Sequence, residues 1–254
     1  MPRPTLYHAS FSPWSEKARW ALDLHRVDLR RVEYIPMLSE PMLRMQLGRW
    51  TGHLTVPVVV GASEPLDDSL AIARWAERQG GRALLFGPGL DAAIDEWNQR
   101  SESVLSAGRA LATRRVAGDA EARREMLPPV IPPRLRGLLL PLADTGVAYL
   151  TRKYRLDDTA DHVALLAMRR ALEASRHAIG VGGGFHLAGR LTYADVAMAT
   201  ALQMVRPPAA PWARLGPASR RCFTHDQLCE EFADLLDWRD DLYGRFRSPG
   251  AVQA

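Results

Sequence analysis

Hydrophobic and polar positions follow two kinds of pattern in the first eighty residues. Short β-prone runs lie at 5–8 and 29–35, and an apolar run containing Pro57 covers 56–60. Apolar residues recur at helical spacing in the stretch that Pro13 opens and again over 69–79, and 42–47 is a shorter helical candidate. These periods predict alternating elements in the order β-α-β-α-β-β-α.

Strand patterns disappear from Asp91 onwards, and long helical periods replace them. Prolines separate several of these periods, and a Gly- and Pro-containing linker at 86–89 precedes the first. We therefore expect two domains, residues 1–82 and residues 91–254, the second all helical. The predicted helices are Asp91–Val116, Asp119–Met126, Leu135–Lys153, Asp158–Ile179, Thr192–Val205 and Asp226–Arg245.

Composition fits a globular protein, with 47% hydrophobic and 24% charged residues among 254. No apolar run is long enough to cross a bilayer, and the first residues do not resemble a secretory signal. The net charge is +4, but the arginines are interleaved with acids, which favours solvated helix faces over a nucleic-acid surface. Cys222 and Cys229 form no C-x-x-C pair, so we expect free thiols and no metal site.

Three local features of the first domain carry candidate chemistry. Ser12 precedes Pro13 at a predicted helix start, where a serine caps the helix and the helix end stabilises a nearby anion. Val56-Pro57 begins a strand; a cis bond there would turn the backbone N–H and C=O of Val56 outwards, although an edge strand also tolerates proline. Asp68 and Ser69 open another helix, as caps or as partners for an α-amino-acid head group.

The order and spacing of these features resemble those of the glutathione transferase superfamily. Residues 12–22 (SPWSEKARWAL) resemble the opening helix of plant tau-type, bacterial and related serine-type enzymes. Val56-Pro57-Val58 resembles the motif with a cis-proline, and Asp68-Ser69 the pair that holds the γ-glutamyl group. Residues 189–197 (GRLTYADVA) resemble the capping segment of the helical half, in which Asp195 has a role in folding.

The resemblance implies a fold, a location and partners. The fold is an α/β thioredoxin-like N-terminal domain that binds glutathione, followed by an all-α domain that holds a hydrophobic co-substrate. It implies a cytoplasmic homodimer active in detoxification, with glutathione as co-substrate and a small apolar electrophile. No metal, nucleic acid or membrane is expected as a partner.

The resemblance also implies roles for individual residues. Ser12 would donate a hydrogen bond to the glutathione sulfur and stabilise its thiolate; Ser15, Ser10 and Tyr7 are alternatives. Val56 and Pro57 would contact the peptide, and Asp68 and Ser69 the γ-glutamyl group. Tau-type relatives carry lysines before the V-P motif, whereas this chain offers His53 or Arg49 for the glycyl carboxylate. Trp14 would line the co-substrate pocket or pack against the helical domain.

Two other functions compete with conjugation of glutathione. One is a different glutathione-dependent reaction, such as peroxide reduction, dehalogenation, ether cleavage or isomerisation. The other is a non-catalytic binding or scaffold protein, because fold does not fix function. A thiol–disulfide oxidoreductase is disfavoured, since the first domain has no cysteine. The segment 136–155 is not predicted by the family motifs; we expect an elaborated helical hairpin that shapes the pocket or an oligomer contact.

Overall fold

The computed structural model describes residues 3–36, 38–81, 85–127, 131, 134, 140–154, 161–181 and 185–247. Three strands form its sheet in the order β2-β1-β3: β1 (Thr5–His8), β2 (Arg30–Glu33) and β3 (Val58–Val60). β1 is parallel to β2 and antiparallel to β3. The prediction of a fourth strand is wrong, because the described residues form no such strand. A single antiparallel bridge joins Val59 to Leu66 in its place.

Helices cover both faces of this sheet because its side chains alternate between two clusters. Leu6 and Val59 face α1 (Pro13–Leu24) and α3 (Ser69–Gly80), where Trp20 and Ile72 are buried. Tyr7 and Val58 face the opposite way, towards Leu43 of α2 (Glu40–Leu47). The predicted alternation of strands and helices is otherwise confirmed.

The remaining described elements are helices, as predicted. They are α4 (Asp91–Gly118), α5 (Ala120–Glu125), α6 (Leu140–Tyr154), α7 (Asp161–Val181), α8 (Tyr193–Ala201) with a 3₁₀ turn at Leu202–Met204, α9 (Pro217–Phe223), α10 (Asp226–Glu231) and α11 (Ala233–Phe246). Two details were wrong. The seven-residue α9 was missed, and the single helix expected over 226–245 is divided at Phe232, whose backbone (φ −121°, ψ 35°) leaves the helical region.

One continuous hydrophobic cluster connects the sheet side of the fold to the helices. It includes Trp20 of α1, Ile72 of α3, Leu105 of α4, Met198 of α8 and Leu236 of α11. The division into residues 1–82 and 91–254 stays a prediction, since 82–84 lie outside the described residues. Among the described helices, none has the length and hydropathy that a membrane span requires.

The capping motif of α8 is confirmed. Asp195 is fully buried, and its Oδ2 accepts the backbone N–H of Thr192 at 2.7 Å while its Oδ1 accepts that of Leu187 at 2.9 Å. The Asp195 carboxylate thereby satisfies the N–H of the N-cap residue Thr192 and that of Leu187 in the preceding loop. The motif is structural, as expected.

Candidate functional site

The three features singled out in the sequence meet at one end of the sheet. Because Tyr7 pairs antiparallel with Val58, the end of β1 lies beside the beginning of β3. The chain then returns through Leu66, which pairs antiparallel with Val59, so Asp68 arrives at the same end. The starts of α1 and α3 and the Val56-Pro57 segment therefore lie together and are one candidate site.

Ser12 caps α1 with its hydroxyl free to donate. Its backbone is extended (φ −84°, ψ 126°), and its Oγ accepts the N–H of Ser15 at 3.4 Å, a long hydrogen bond. No described residue accepts the Ser12 O–H proton. A half-buried hydroxyl at a helix N-terminus can therefore donate to an anion that the helix dipole also stabilises.

Residues 9–12, here called the serine loop, are held by hydrogen bonds along their backbone. The N–H of Ala9 donates to Ser15 Oγ at 3.1 Å, and that of Ser10 to Glu33 Oε1 at 2.7 Å. The carbonyls of Ala9 and Ser10 accept from Arg19 at 3.3 and 3.2 Å. The carbonyl of Phe11 accepts from the Gln203 amide. Such a loop is fixed before any ligand arrives, which lowers the entropic cost of binding.

The alternative hydroxyls differ from that of Ser12 in accessibility, in hydrogen bonding or in position. Ser15 is fully buried, and its Oγ is committed to the N–H of Ala9. The Tyr7 hydroxyl donates to Gln46 Oε1 of α2 at 2.7 Å. Ser10 is half-buried like Ser12, but it does not cap the helix. These positions favour Ser12 on physical grounds.

A buried ionic cluster supports the serine loop from behind. Arg19 is 4% exposed and pairs with the fully buried Glu16 through an Nε–Oε2 hydrogen bond of 2.8 Å. Its Nη1 lies 3.0 Å from Nδ1 of His8. Burial and, secondarily, the charge of Arg19 lower the pKa of His8 from 6.5 to about 3. His8 is therefore neutral at pH 7, and its ring nitrogen accepts from the guanidinium.

The Val56-Pro57 peptide bond is cis, so the cis alternative is confirmed. Val56 lies before the first residue of β3, and no described residue pairs with its backbone N–H or C=O. These groups have the hydrogen-bonding capacity that an extended peptide would use.

In the structure Asp68 is exposed, whereas its neighbour Ser69 is buried. Asp68 is the exposed N-cap of α3, and its Oδ1 accepts the N–H of Ala71 at 2.9 Å. Ser69 is only 3% exposed, and its Oγ accepts from the hydroxyl of Tyr193, a buried residue of α8, at 3.3 Å. The accessible charge at this helix start is thus the Asp68 carboxylate.

The two candidates for the glycyl carboxylate occupy different surroundings. Arg49 forms an exposed ion pair with Asp67. His53 lines a cavity of about 260 Å³ between α2 and α6, together with Arg152. Tyr149 of α6 also lines this cavity, and its hydroxyl donates to Glu40 Oε2 at 3.0 Å. The segment 136–155 therefore brings Tyr149 and Arg152 to α2, which the sequence did not indicate; 136–139 and 155 lie outside the described residues.

Trp14 packs against the helical part of the fold, the second of its two expected positions. Its Nε1 donates to Glu102 Oε2 of α4 at 2.7 Å, and the Arg109 guanidinium lies 4.6 Å from the ring centroid. The neighbouring Lys17 is fully buried and donates to Glu102 Oε1 at 2.8 Å and to Ser101 Oγ at 2.7 Å. Burial lowers the pKa of Lys17, against the pull of Glu102. These bonds join the start of α1 to α4.

Comparison with known proteins agrees with this architecture. Residues 11–79 match the family described as glutathione S-transferase, N-terminal domain. No curated protein matches the chain by sequence.

Solved structures resemble the chain over nearly its whole length. A glutathione transferase of Phanerochaete chrysosporium is 15% identical, with a TM-score of 0.64 over 98% of this chain and 100% of that one. A glutathione S-transferase of Ceriporiopsis subvermispora in complex with glutathione is 13% identical, with a TM-score of 0.63 over 97% and 98%. One from Methylobacterium radiotolerans, complexed with glutathione sulfonate, is 19% identical, with a TM-score of 0.56 over 96% and 91%.

The fold is therefore that of the glutathione transferases, a thioredoxin-like domain joined to an all-α domain. The family match covers residues 11–79, the structural neighbours share the fold, and some of those neighbours hold glutathione.

Proposed function

We propose that the protein is a serine-type glutathione transferase, in which Ser12 stabilises the glutathione thiolate for attack on an apolar electrophile. The observation that carries the proposal is the meeting of the Ser12 hydroxyl, the unpaired Val56 backbone and the exposed Asp68 at one end of the sheet. In this assignment Val56 and Pro57 contact the cysteinyl backbone, Asp68 pairs with the γ-glutamyl ammonium, and the start of α3 with Ser69 receives its carboxylate. The glycyl carboxylate faces the cavity of His53 and Arg152, with Arg49 as the alternative.

Attack by the glutathione thiolate at neutral pH requires that the pKa of the glutathione thiol be lowered. A free thiol titrates near 8.5, so little thiolate exists at neutral pH, and lowering the pKa by two units is worth about 2.7 kcal/mol. A hydroxyl donor to a charged sulfur together with a helix N-terminus is of that order. The proton leaves to solvent on binding, and the thiolate then displaces the leaving group of the electrophile.

Retention on immobilised glutathione, calorimetry and an assay with a chlorinated nitroaromatic test the proposal. We expect binding and turnover. Binding without turnover across a panel of electrophiles, peroxides and ethers would favour a non-catalytic binding protein. No binding would refute the transferase and leave the scaffold alternative. The proposal also implies a cytoplasmic homodimer active in detoxification, and light scattering checks the dimer.

Ser12→Ala should raise the pKa of bound glutathione by about one to two units, the equivalent of one charged hydrogen bond, while affinity stays nearly unchanged. Thiolate absorbance in the ultraviolet, recorded across pH with the bound complex, measures this. Ser10→Ala is the matched control: it removes a neighbouring half-buried hydroxyl but keeps the backbone contacts of Ser10 to Glu33 and Arg19, so the pKa of bound glutathione should stay close to that of the parent. An unchanged pKa in Ser12→Ala removes Ser12 from the role.

Asp68→Ala should weaken glutathione binding by about 1.5–3 kcal/mol, because it removes the carboxylate that pairs with the ligand ammonium. The same change removes the α3 cap, so Asp68→Asn, which keeps a capping oxygen without the charge, separates the two effects. Calorimetry gives both dissociation constants. An affinity equal to the parent's in both variants would contradict the assigned γ-glutamyl site.

A further inference from the structure

The cavity of about 260 Å³ between α2 and α6, here called the α2–α6 cavity, is lined by both parts of the fold. Its lining residues are Glu40, Arg44, Gly52, His53 and Leu54 of the thioredoxin-like part, and Tyr149 and Arg152 of α6. His53 and Leu54 come just before Val56 in the chain, so the cavity adjoins the cis-proline segment. Because α2 and α3 pack on opposite faces of the sheet, the cavity and Asp68 approach Val56 from different sides.

The charge of Arg44 in this cavity is already balanced within the protein. Its Nε and Nη2 donate to Glu40 Oε1 at 2.9 and 2.7 Å, and Nη2 also donates to the carbonyl of Gly52 at 2.9 Å. The other carboxylate oxygen of Glu40 accepts from the Tyr149 hydroxyl at 3.0 Å. Arg44 and Glu40 thus form a neutral pair that leaves little attraction for a charged ligand.

Arg152 brings an unbalanced positive charge to the cavity from α6. Its side chain is exposed, and within the described part of the chain no acid pairs with it. Arg152 lies three positions after Tyr149, so the two side chains leave the same face of α6. The hydrogen bond from Tyr149 to Glu40 therefore fixes against α2 the helix face that carries Arg152.

A guanidinium in this position is suited to a carboxylate, because two of its N–H groups match the two carboxylate oxygens. The segment 48–55 offers weaker alternatives: it contains no lysine, and its one arginine, Arg49, pairs with Asp67. His53 adds a ring N–H beside Arg152 but carries little charge at pH 7 at its ordinary pKa. Arg152 is thus the strongest cation that the described residues bring to the cavity.

We propose that Arg152 is a specificity-determining residue, which makes the protein select γ-glutamylcysteinyl peptides that end in a free carboxylate over their amides and esters. The proposal rests on the proposed function, because it assigns the C-terminal end of the same ligand. A neutral amide in the cavity would lose the charged hydrogen bonds to the guanidinium, so the free acid binds more tightly. Selection at this end of the peptide then comes from α6 of the helical part, and not from the segment before Pro57.

Calorimetry of the full chain with glutathione and with glutathione amide, whose glycyl carboxamide has the shape of the carboxylate, tests the proposal. We expect the parent to bind the amide about tenfold more weakly or worse, as the loss of one charged hydrogen bond requires. Arg152→Gln should bind glutathione about tenfold more weakly than the parent and the amide as the parent does, so that its two affinities become similar. The exposed Arg152 has no partner to lose among the described residues, so this variant should fold.

Arg170→Gln is the matched control, because Arg170 is an exposed arginine of α7 outside the cavity. It should keep the parent's affinity for both ligands. Equal binding of glutathione and its amide by the parent, a parental preference for glutathione in Arg152→Gln, or an equal loss in Arg170→Gln would overturn the role of Arg152 and leave the proposed function standing. Failure of the parent to bind either ligand would refute the proposed function itself, and this inference with it.

Discussion

Arg247→Ala should lower the free energy of unfolding by about 3–5 kcal/mol, the range for removing one member of a buried ion pair. Arg247 follows α11 and is 3% exposed. Its Nε donates to Oε1 of the fully buried Glu16 at 2.8 Å, and its Nη1 to Oδ2 of Asp23 at 2.5 Å. Alanine would leave both carboxylates of α1 with fewer partners in a site that water does not reach. The large effect comes from the loss of two charged hydrogen bonds in a buried site, each worth about 1.5–3 kcal/mol, although Glu16 keeps Arg19 and Asp23 keeps Arg31.

Urea denaturation of the parent and the variant measures the difference. Arg245→Ala is the matched control, two residues away, because its ion pair with Asp241 is 59% and 62% exposed at the side chains. Arg245→Ala removes this ion pair and the contact between Arg245 and the Phe185 ring. It should lower the free energy of unfolding by about 1 kcal/mol or less. Equal losses in the two variants would mean that the Glu16–Arg247 pair contributes no more than a surface pair.

The sequence predicted the fold well where the signal is local. Strand and helix periods, Pro13 at a helix start and the capping residue Asp195 each depend on a few neighbouring positions, and each is confirmed. The failures are also local in origin. The short α9 has too few residues for a clear period, and nothing near Phe232 indicates a break between α10 and α11.

The buried charged side chains behind the serine loop could not be predicted, because their burial depends on partners far away in the sequence. Glu16, Lys17 and Arg19 interrupt an amphipathic helix and have the composition of a solvated face, yet all three are buried. Besides its neighbour Arg19, Glu16 pairs with Arg247, 231 positions away, and Lys17 pairs with Glu102. Likewise, only the packing of α6 against α2 brings Arg152 beside His53.

His8 should make the protein lose stability as the pH falls below 6.5. Its folded pKa of about 3 lies below the unfolded value of 6.5, so the unfolded chain binds the extra proton between these values. The contribution is therefore complete above pH 6.5 and is lost progressively down to pH 3. At about 1.36 kcal/mol per pH unit, His8 accounts for roughly 2.7 kcal/mol between pH 7 and 4.5, and for about 4 kcal/mol by pH 3.

Urea denaturation at pH 7 and pH 4.5 checks this with His8→Asn, whose Oδ1 can accept from Arg19 in place of Nδ1. The variant should lose roughly 2.7 kcal/mol less than the parent over this interval, whereas His177→Asn, on the exposed side of α7, should lose as much as the parent. Nearby Glu33, 3.8 Å from His8 Nδ1, is present in all three proteins, so the comparison isolates His8. Equal losses in the parent and His8→Asn would contradict the prediction. Because Arg19 binds both His8 and the carbonyls of Ala9 and Ser10, protonation of His8 would also place a repelling charge beside the group that holds the serine loop.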